Sequence, residues 1–410
     1  AVAKLKQNLG KEYGMFIDGK DVFSDEKFDD HSPVNTGWML ARMQKGNALH
    51  ARMAIEAARK AFPGWSHTPW QKRVALVRKA ASLIEKRIFE LGAAMALEVG
   101  KNRMESLGDV QETADLMYWP AQMMEENNGF IKPMGKDPLT GYDSTNVSVL
   151  RPYGVWLIIS PFNFPFALTG GPTCAALVAG NTVVIKPASD TAWIVRLYAE
   201  CLRDAGFPPG VFNFVTGPGS TVGQALVDSP EVDGVTFTGS FDVGMKMYRD
   251  FANRNHVRPI VLELGGKNPA IVSRNANLED AATGIYRSAF GLQGQKCSAA
   301  SRILVEEPVY DELLAKLKSK VDSLVIGDPT ERATYIGPVV NQNSYNEFKN
   351  FTEEINQAGG RFLTGGNVKS GGMYDYGYYC EPTLVTNLPF EHRLWKHEMF
   401  LPIATIGKVK

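Results

Sequence analysis

The chain has 410 residues, of which 44% are hydrophobic and 21% are charged, so its composition is that of an ordinary globular protein that is too long for one compact core. Its 44 basic residues balance its 44 acidic residues, and a neutral chain has no net field that would favour nucleic acid or an anionic membrane as a partner. The most apolar segment, residues 155–170, is interrupted by prolines and is too short to span a bilayer.

Helices are predicted in the N-terminal region. Apolar residues between positions 54 and 62 recur at helical spacing and predict a helix that ends at Pro63-Gly64. The same spacing between positions 74 and 91 predicts one long helix, and Pro120 is expected to interrupt the next helical pattern. No pattern here is typical of a reactive site, so we interpret these helices as scaffold.

The first residues, Ala-Val-Ala-Lys, are not a basic start followed by an apolar run, so the sequence predicts no signal peptide. We therefore expect a cytoplasmic protein, although a mature mitochondrial enzyme would look the same after loss of its transit peptide. Further along, residues 130–153 are rich in glycine, proline and polar residues. That composition predicts a hairpin outside the core.

Strand and helix patterns alternate beyond residue 153. The predicted strands are 154–159, 183–185, 211–215 and 235–237, and the predicted helices are 175–179, 191–205, 222–227 and one that begins at Ser240. Such alternation predicts a doubly wound parallel sheet of the α/β class, with ligands bound at the carboxyl ends of the strands. A second alternating region starts near Pro269, and the final run, 403–410, predicts another strand.

Two glycine-containing turns are candidate phosphate sites. Gly217-Pro218-Gly219 with Gly223 is one residue too long for Gly-x-Gly-x-x-Gly, and we interpret it as an ordinary strand-to-helix turn. Gly239-Ser240 is the better candidate, because a predicted strand ends there and free N–H groups of the next helix suit a pyrophosphate. Lys186 ends another predicted strand, where it could either reach solvent or bind ribose hydroxyls.

Three further residues have the chemistry of carbonyl oxidation. Cys297 could add to an aldehyde as a thiolate, and Glu263 could activate the water that releases the acid. The amide of Asn163 could stabilise a developing oxyanion. Each also has an ordinary interpretation, namely a buried thiol, an ion-paired glutamate and a turn asparagine.

The cysteines are widely spaced and form no Cys-x-x-Cys, and no histidine lies at metal-ligand spacing from them. The sequence therefore predicts neither a disulfide framework nor a zinc site. We expect three of the four to be buried hydrophobes: Cys174, Cys201 and Cys380.

Six motifs in order resemble the NAD(P)-dependent aldehyde dehydrogenase superfamily, and the similarity extends from about residue 15 to the last residue. They are Phe162-Asn163-Phe164-Pro165, Lys186-Pro187, Phe237-Thr238-Gly239-Ser240, Glu263-Leu264-Gly265-Gly266-Lys267, Gly294-Gln295-Lys296-Cys297 and Glu398-Met399-Phe400-Leu401-Pro402. The resemblance implies an aldehyde-dehydrogenase-like α/β fold with two doubly wound parallel-sheet domains and an oligomerisation hairpin.

The resemblance also implies roles for individual residues. Cys297 would be the nucleophile, Asn163 and the Cys297 N–H the oxyanion hole, and Glu263 the base for thioester hydrolysis. The cofactor would be NAD or NADP, and the residues expected to contact it are Lys186, Ser189, Gly239, Ser240, Gly244, Glu398 and Phe400. Those expected at the substrate are Phe164 and Ser298, the latter as a partner for a substrate carboxylate.

The implied domains are residues 1–129 with 154–263 for the cofactor, 130–153 for oligomerisation and 264–410 for catalysis. A homodimer or homotetramer is expected. Because relatives continue beyond the position of Lys410, the catalytic domain is expected to be incomplete in this sequence. Ser189 stands where NAD-preferring relatives often have a glutamate, which predicts that NADP is also usable.

The segment around Cys297 looks most like the branch that oxidises glutamate semialdehyde, the open form of pyrroline-5-carboxylate. The other motifs fit general aldehyde dehydrogenases equally well. Two alternatives remain open at this point. One is a CoA-acylating relative, and the other is a truncated, non-catalytic nucleotide-binding relative.

Overall fold

The structure is a computed structural model that describes residues 1–141, 143–253 and 257–410. Its strands are β1 Lys11–Tyr13, β2 Met15–Ile17, β3 Lys20–Val22, β4 Lys27–His31, β5 Met39–Gln44, β6 Ile131–Pro133, β7 Val147–Val149, β8 Val155–Ile159, β9 Thr182–Lys186, β10 Phe212–Phe214, β11 Gly234–Thr238, β12 Ile260–Glu263, β13 Asn268–Val272, β14 Ala300–Glu306, β15 Arg361–Thr364, β16 Thr383–Thr386 and β17 Ile403–Val409. Its α-helices are α1 Val2–Lys6, α2 Ala48–Ser66, α3 Trp70–Lys86, α4 Ile88–Val99, α5 Arg103–Glu126, α6 Ala167–Ala179, α7 Ala192–Ala205, α8 Gln224–Asp228, α9 Phe241–Ala252, α10 Leu278–Phe290, α11 Tyr310–Asp322 and α12 Gln342–Gln357.

The predicted strand–helix alternation is confirmed from β8 to α9. The strands form a seven-stranded sheet in the order β12-β11-β8-β9-β10-β2-β3, in which β12 to β10 run parallel. The chain moves from β8 outward to β10 and then returns to the other side of β8 as β11. The sheet therefore has its topological switch point between β8 and β11, where a ligand crevice is expected.

Helices cover both faces of this sheet. On β9, Val183 and Ile185 pack in one core with α3 to α7, whereas Val184 packs in a second core with α2 and α8. Successive side chains of a strand point to opposite faces, so β9 is buried on both sides, as a parallel strand must be. This burial explains the continuous apolar run that predicted the strand.

A second sheet follows the first along the chain, in the order β13-β14-β17-β16-β15. All neighbours in it are parallel except β15, which is antiparallel to β16. The predicted strand at 403–410 is confirmed as β17, which lies at the centre of the sheet. One face packs on α10 and α11 and the other on α12. The α/β class with two doubly wound, mainly parallel sheets is thus confirmed.

The N-terminal region contains short strands that the sequence analysis did not predict. Five short strands precede α2; β1, β5 and β4 form a separate sheet, while β2 and β3 extend the seven-stranded sheet. The expected end of α2 at Pro63 is wrong, because the helix continues to Ser66. Pro63 lies in the last turn, so its missing N–H removes one hydrogen bond, to the carbonyl four residues earlier, and only three more residues of the helix follow it.

Two further predictions for the helices are wrong. The single long helix over 74–91 is two helices, α3 and α4, that meet at Arg87, whose φ and ψ of −101° and 11° are not helical. The apolar stripe continues across this break and so hides it. Pro120 lies inside α5, which runs on to Glu126 because buried residues on both sides of the proline, Met117 and Met124, hold it to the core.

The predicted hairpin at 130–153 contains β6 and β7, which pair antiparallel; Tyr142 lies outside the described residues. Every residue of the two strands is exposed.

Among the described residues, no helix combines the length and the hydropathy needed to cross a bilayer.

Candidate active site

One cavity of about 800 Å³ opens at the carboxyl ends of the strands around the switch point. The segments after β8, β9, β11 and β12 line it, together with segments from the second half of the chain. The predicted site residues on its wall are Asn163, Lys186, Gly239, Ser240, Glu263, Cys297, Glu398 and Phe400. The cavity has the size of a typical ligand site, and it brings together the three residues selected for carbonyl chemistry.

Four other predicted site residues do not line this cavity. Ser189 is exposed in a short helical turn, Ser189–Thr191, and Ser298 is exposed beside Cys297. Gly244 is buried in α9, where a Cβ would come within 2.4 Å of Leu264. The ring of Phe164 packs against the core and lies 3.5 Å from the ammonium of Lys101.

Cys297 is exposed, whereas Cys174, Cys201 and Cys380 are buried, as expected from the sequence. Burial raises the pKa of Cys174 to about 12 and that of Cys201 to about 11. Because the thiolate is the nucleophilic form, these two buried residues stay inert thiols at neutral pH. Cys297 is therefore the cysteine with access to a reactant.

The loop before Cys297 has an unusual backbone. Leu292 and Gln293 have positive φ angles of 46° and 55°, a region that non-glycine residues rarely adopt. The buried amide of Gln293 donates to the carbonyls of Gly100 at 3.0 Å and Pro338 at 2.6 Å. These hydrogen bonds stabilise the loop in the conformation that presents the thiol.

The segment after Glu263 holds the nucleophile from the other side. The side-chain amide of Asn268 donates to the carbonyl oxygen of Cys297 at 2.7 Å and to that of Ala299 at 3.2 Å. Gly266 lies so close that a Cβ would come within 2.6 Å of the same Cys297 oxygen. Asn268 was not selected from the sequence, because only the folded chain shows which carbonyl its amide meets.

Lys296 immediately precedes Cys297, where a cation can favour the thiolate. Its ammonium instead lies 2.5 Å from a carboxylate oxygen of Glu105, and neither side chain is more than 21% exposed. Its charge is therefore committed to an ion pair.

Asn163, in the segment after β8, and Glu263, at the end of β12, both line the cavity. Asn163 is only 3% exposed, and its side chain makes no hydrogen bond to another described residue, so its amide is free to donate to a ligand. Glu263 is exposed on the cavity wall, and its backbone carbonyl accepts from the N–H of Gly239 at 3.1 Å. The two side chains can thus supply a donor and a base to one space.

Lys186 and the start of α9 form a cationic end of the cavity. Lys186 is buried, its ammonium donates to the Pro187 carbonyl at 2.9 Å, and burial lowers its pKa to about 8. Ser240 precedes α9 without capping it through its side chain, which leaves N–H groups of the first turn free for an anion. Apolar residues, Val227, Val243 and Met247, line the wall nearby.

These donors and walls fit a nicotinamide dinucleotide. A pyrophosphate suits the free N–H groups, ribose hydroxyls suit the unused ammonium protons of Lys186, and an adenine ring suits the apolar wall. Gly219 and Gly223 also line the cavity. The turn that we interpreted as only structural therefore belongs to this site as well.

Glu398 and Phe400 close the other end. Glu398 accepts from the N–H of Gly266 at 2.9 Å, and burial raises the pKa of its carboxyl. Phe400 has a positive φ of 55° and meets the ring of Phe162 edge-on at 5.7 Å. The segment 398–400 thus contacts both the Glu263 loop and the Asn163 loop.

Comparison with known proteins agrees with the sequence motifs. The sequence model of the aldehyde dehydrogenase family matches residues 21–410. The 1-pyrroline-5-carboxylate dehydrogenase of Geobacillus sp. (strain WCH70) is 37% identical over 415 aligned residues, which cover 100% of this chain and 78% of that protein. The 1-pyrroline-5-carboxylate dehydrogenase 2 of Bacillus subtilis (strain 168) is also 37% identical, again over 100% of this chain and 78% of the relative.

Solved structures give the same result. The 1-pyrroline-5-carboxylate dehydrogenase from Thermus with bound NAD superimposes with a TM-score of 0.93 at 32% identity, covering 100% of this chain and 78% of that one. An NAD-dependent aldehyde dehydrogenase from Sinorhizobium meliloti superimposes with a TM-score of 0.92 at 32% identity, covering 99% and 79%.

Proposed function

This chain belongs to the aldehyde dehydrogenase family, and from that premise we propose that Cys297, Asn163 and Glu263 carry out its reaction. The enzyme class predicted from the sequence, an NAD(P)-dependent aldehyde dehydrogenase, is confirmed by the family match and by the named relatives, and a solved relative with bound NAD supports NAD as the cofactor. The observation that supports the assignment of residues is that all three line one cavity.

In the first step, the Cys297 thiolate adds to the aldehyde carbon and forms a thiohemiacetal. The oxygen of the aldehyde becomes an oxyanion, to which Asn163 and the Cys297 N–H donate. One such donor typically contributes about 2.7–4 kcal/mol to the stabilisation of a transition state. Asn163 suits this role because its amide is buried, faces the cavity and has no other partner among the described residues.

Bound NAD supplies the acceptor for the hydride that leaves the thiohemiacetal carbon. Lys186, the Gly239–Ser240 turn and Glu398 would hold it, and Phe400 would lie beside it. Ser189 stands where NAD-preferring relatives often have a glutamate, and we extend the proposal to NADP on that ground. Ser189 is exposed three residues beyond Lys186, and its short neutral side chain does not repel a 2′-phosphate.

Glu263 acts in the second step. Loss of the hydride leaves a thioester on Cys297, and a water molecule must attack it. The Glu263 carboxylate takes a proton from that water, and the acid leaves while the thiol is restored. Covalent catalysis of this kind divides one difficult reaction into two easier steps. A glutamate at this position favours hydrolysis over transfer of the acyl group to CoA.

We propose glutamate semialdehyde, in equilibrium with 1-pyrroline-5-carboxylate, as the substrate. The support is the name shared by the relatives at 37% identity. Ser298 adjoins the nucleophile but does not line the cavity, and its role as partner of the substrate carboxylate rests on the family resemblance. Phe164, expected at the substrate from the sequence, does not line the cavity, and its ring faces the ammonium groups of Lys101 and Lys296.

We further propose the domain division stated above, with residues 1–129 and 154–263 holding the cofactor and 264–410 carrying the nucleophile. The exposed hairpin at 130–153 would join subunits into a homodimer or homotetramer. Its strands are exposed on both faces, and three of their apolar residues lie at 40% exposure or more: Ile131, Val147 and Val149. A hairpin of this kind is unstable alone and suits an interface.

The test is a panel of aldehydes assayed with NAD and NADP, followed at the absorbance of the reduced nicotinamide. Glutamate semialdehyde should give the highest kcat/KM, and Cys297→Ala should have no turnover, whereas Cys201→Ala should keep it. A preference for an aldehyde without a carboxylate would contradict the proposed substrate. Turnover by Cys297→Ala would contradict the assigned nucleophile.

A further inference from the structure

The N-terminal turns of α5 lie behind the wall of the cavity that carries Cys297. They contact the second half of the chain directly, because Asn102 donates to the carbonyl of Tyr335 at 2.9 Å and Arg103 donates to that of Thr330 at 2.6 Å. This end of the helix is therefore anchored to the segment that also supports the nucleophile loop.

A buried ion pair anchors the same turns to the Asn163 segment. Lys101 and Asp109 are both fully buried and lie 2.7 Å apart. The other oxygen of Asp109 accepts from the N–H of Ala167 at 2.9 Å, and the Lys101 ammonium lies 3.5 Å from the Phe164 ring centroid. Because breaking a buried pair is strongly unfavourable, this contact holds α5 in one position.

Glu105 lies between these anchors, and its carboxylate contacts the Cys297 loop at two points. One oxygen accepts from the N–H of Leu292 at 2.8 Å, and the other lies 2.5 Å from the ammonium of Lys296. One side chain thus joins the first strained residue of the loop to the residue that precedes the nucleophile.

The space around these contacts is tightly filled. A Cβ on Gly291 would come within 2.8 Å of both the Glu105 carboxylate and the Lys296 ammonium. The Lys296 ammonium also lies 5.7 Å from the Phe164 ring centroid. Lys296 therefore contacts Glu105 on α5 and the segment that carries Asn163.

The backbone that Glu105 contacts is intrinsically unfavourable. Leu292 and Gln293 have φ of 46° and 55°, and such left-handed conformations are strained for non-glycine residues. A charged acceptor on the Leu292 N–H offsets part of that strain, since hydrogen bonds to charged groups are stronger than neutral ones.

We propose that Glu105 is a positioning residue for the reaction: its carboxylate fixes the loop 292–296 so that Cys297 faces Asn163 across the cavity. The proposal rests on the function proposed above. Glu105 does not line the cavity and acts on the thiol only through Leu292 and Lys296.

The experiment compares Glu105→Ala and Glu105→Gln with the wild-type enzyme. Misplacement of a reacting group by about 1 Å can lower a rate about 100-fold, so we expect Glu105→Ala to lower kcat by about 10- to 100-fold, with the KM for NAD within about twofold. Glu105→Gln should recover part of the loss, because its amide oxygen still accepts from Leu292. Glu125→Ala is the matched control, since Glu125 is on the same helix but pairs with Arg78 at the surface.

Hydrogen–deuterium exchange gives a second readout that does not depend on activity. We expect faster exchange in the peptide 291–297 of Glu105→Ala, with other regions unchanged. A kcat within twofold of wild type would overturn the proposal. Faster exchange throughout the chain with weaker NAD binding would also overturn it, because the role would then be general stability. An inactive wild-type enzyme would refute the proposed function, whereas the exchange measurement would still test the role of Glu105.

Discussion

The side-chain amide of Asn268 donates to the carbonyl oxygen of Cys297 at 2.7 Å. β12 ends at Glu263 and β13 begins at Asn268, so a short connection between two strands carries both the proposed base and the residue that holds the nucleophile. A displacement of this connection moves Glu263 and Cys297 relative to each other.

Gly266 should therefore tolerate no side chain. A Cβ there would come within 2.6 Å of the Cys297 carbonyl oxygen, which is closer than any ordinary contact. We expect Gly266→Ala to lower kcat at least tenfold while the protein stays folded. Gly284→Ala is the control, because Gly284 is on α10 with no atom within 4 Å of an added Cβ. Equal activity of the two variants in a steady-state assay would contradict the close packing at Gly266.

Ser189 should decide between the two dinucleotides. The wild-type enzyme is expected to use NAD and NADP with comparable kcat/KM, because serine does not repel a 2′-phosphate. Ser189→Glu should lower kcat/KM for NADP at least tenfold and leave that for NAD nearly unchanged, whereas Ser189→Ala should keep both. Strict use of NAD by the wild-type enzyme would refute this prediction.

Binding of the dinucleotide should take up a proton at pH 8. Burial lowers the pKa of Lys186 to about 8. The side chain is therefore mostly protonated and charged below that pH, and it loses its proton progressively above it. An anionic ligand favours the charged form, and by linkage its affinity should fall as pH rises from about 7 to about 9. Calorimetric titration of NADP in buffers of different ionisation enthalpy measures the proton uptake.

The control for this experiment is Lys186→Met, in which the pH-dependent uptake should disappear. If the methionine variant takes up the same proton, another group titrates on binding and Lys186 does not contact the ligand.

Asp30 should make the protein less stable as pH rises. Burial and the adjacent carboxylate of Glu98 raise the pKa of Asp30 well above its ordinary value. The folded state therefore keeps a proton that the unfolded chain releases above about pH 4. Each such proton lowers the free energy of unfolding by about 1.4 kcal/mol per pH unit. Asp30→Asn is expected to flatten the fall of Tm between pH 5 and pH 7.

Asp29→Asn provides the comparison, because Asp29 is the neighbouring residue and its pKa is lowered by its hydrogen bond to Arg42. Its titration lies below the tested range, so the slope of Tm against pH should stay that of the wild type. The same slope for Asp30→Asn as for the wild type would contradict the proton assigned to Asp30 and would leave Glu98, whose pKa burial raises to about 7, as the group that titrates.

The parallel sheet could be predicted because burial on both faces leaves a direct trace in the sequence. Val183, Val184 and Ile185 are continuous apolar residues for that reason. The first strands leave no such trace: β1 and β3 are three residues long and mostly exposed. Arg87 ends a helix inside an unbroken apolar stripe, so the break depends on backbone angles that the stripe does not encode.

The residues of the candidate site also differ in whether the sequence alone could predict them. Asn163, Glu263 and Cys297 could be selected from the sequence because their own side chains have the required chemistry. Asn268 and Glu105 could not, since their role depends on which backbone group each one meets, and Glu105 meets a loop far along the chain. The left-handed backbone at Leu292 is equally hidden, because leucine gives no signal for a positive φ.

The most direct test of the mechanism is to trap the acyl group on the enzyme. Glu263→Gln, mixed with NAD and glutamate semialdehyde, should release one equivalent of reduced nicotinamide in a burst and then turn over slowly. Mass spectrometry of the digested protein should find the acyl adduct on the peptide that contains Cys297, and Cys297→Ala should show neither burst nor adduct. A burst without an adduct on Cys297, or unchanged steady turnover by Glu263→Gln, would contradict the account.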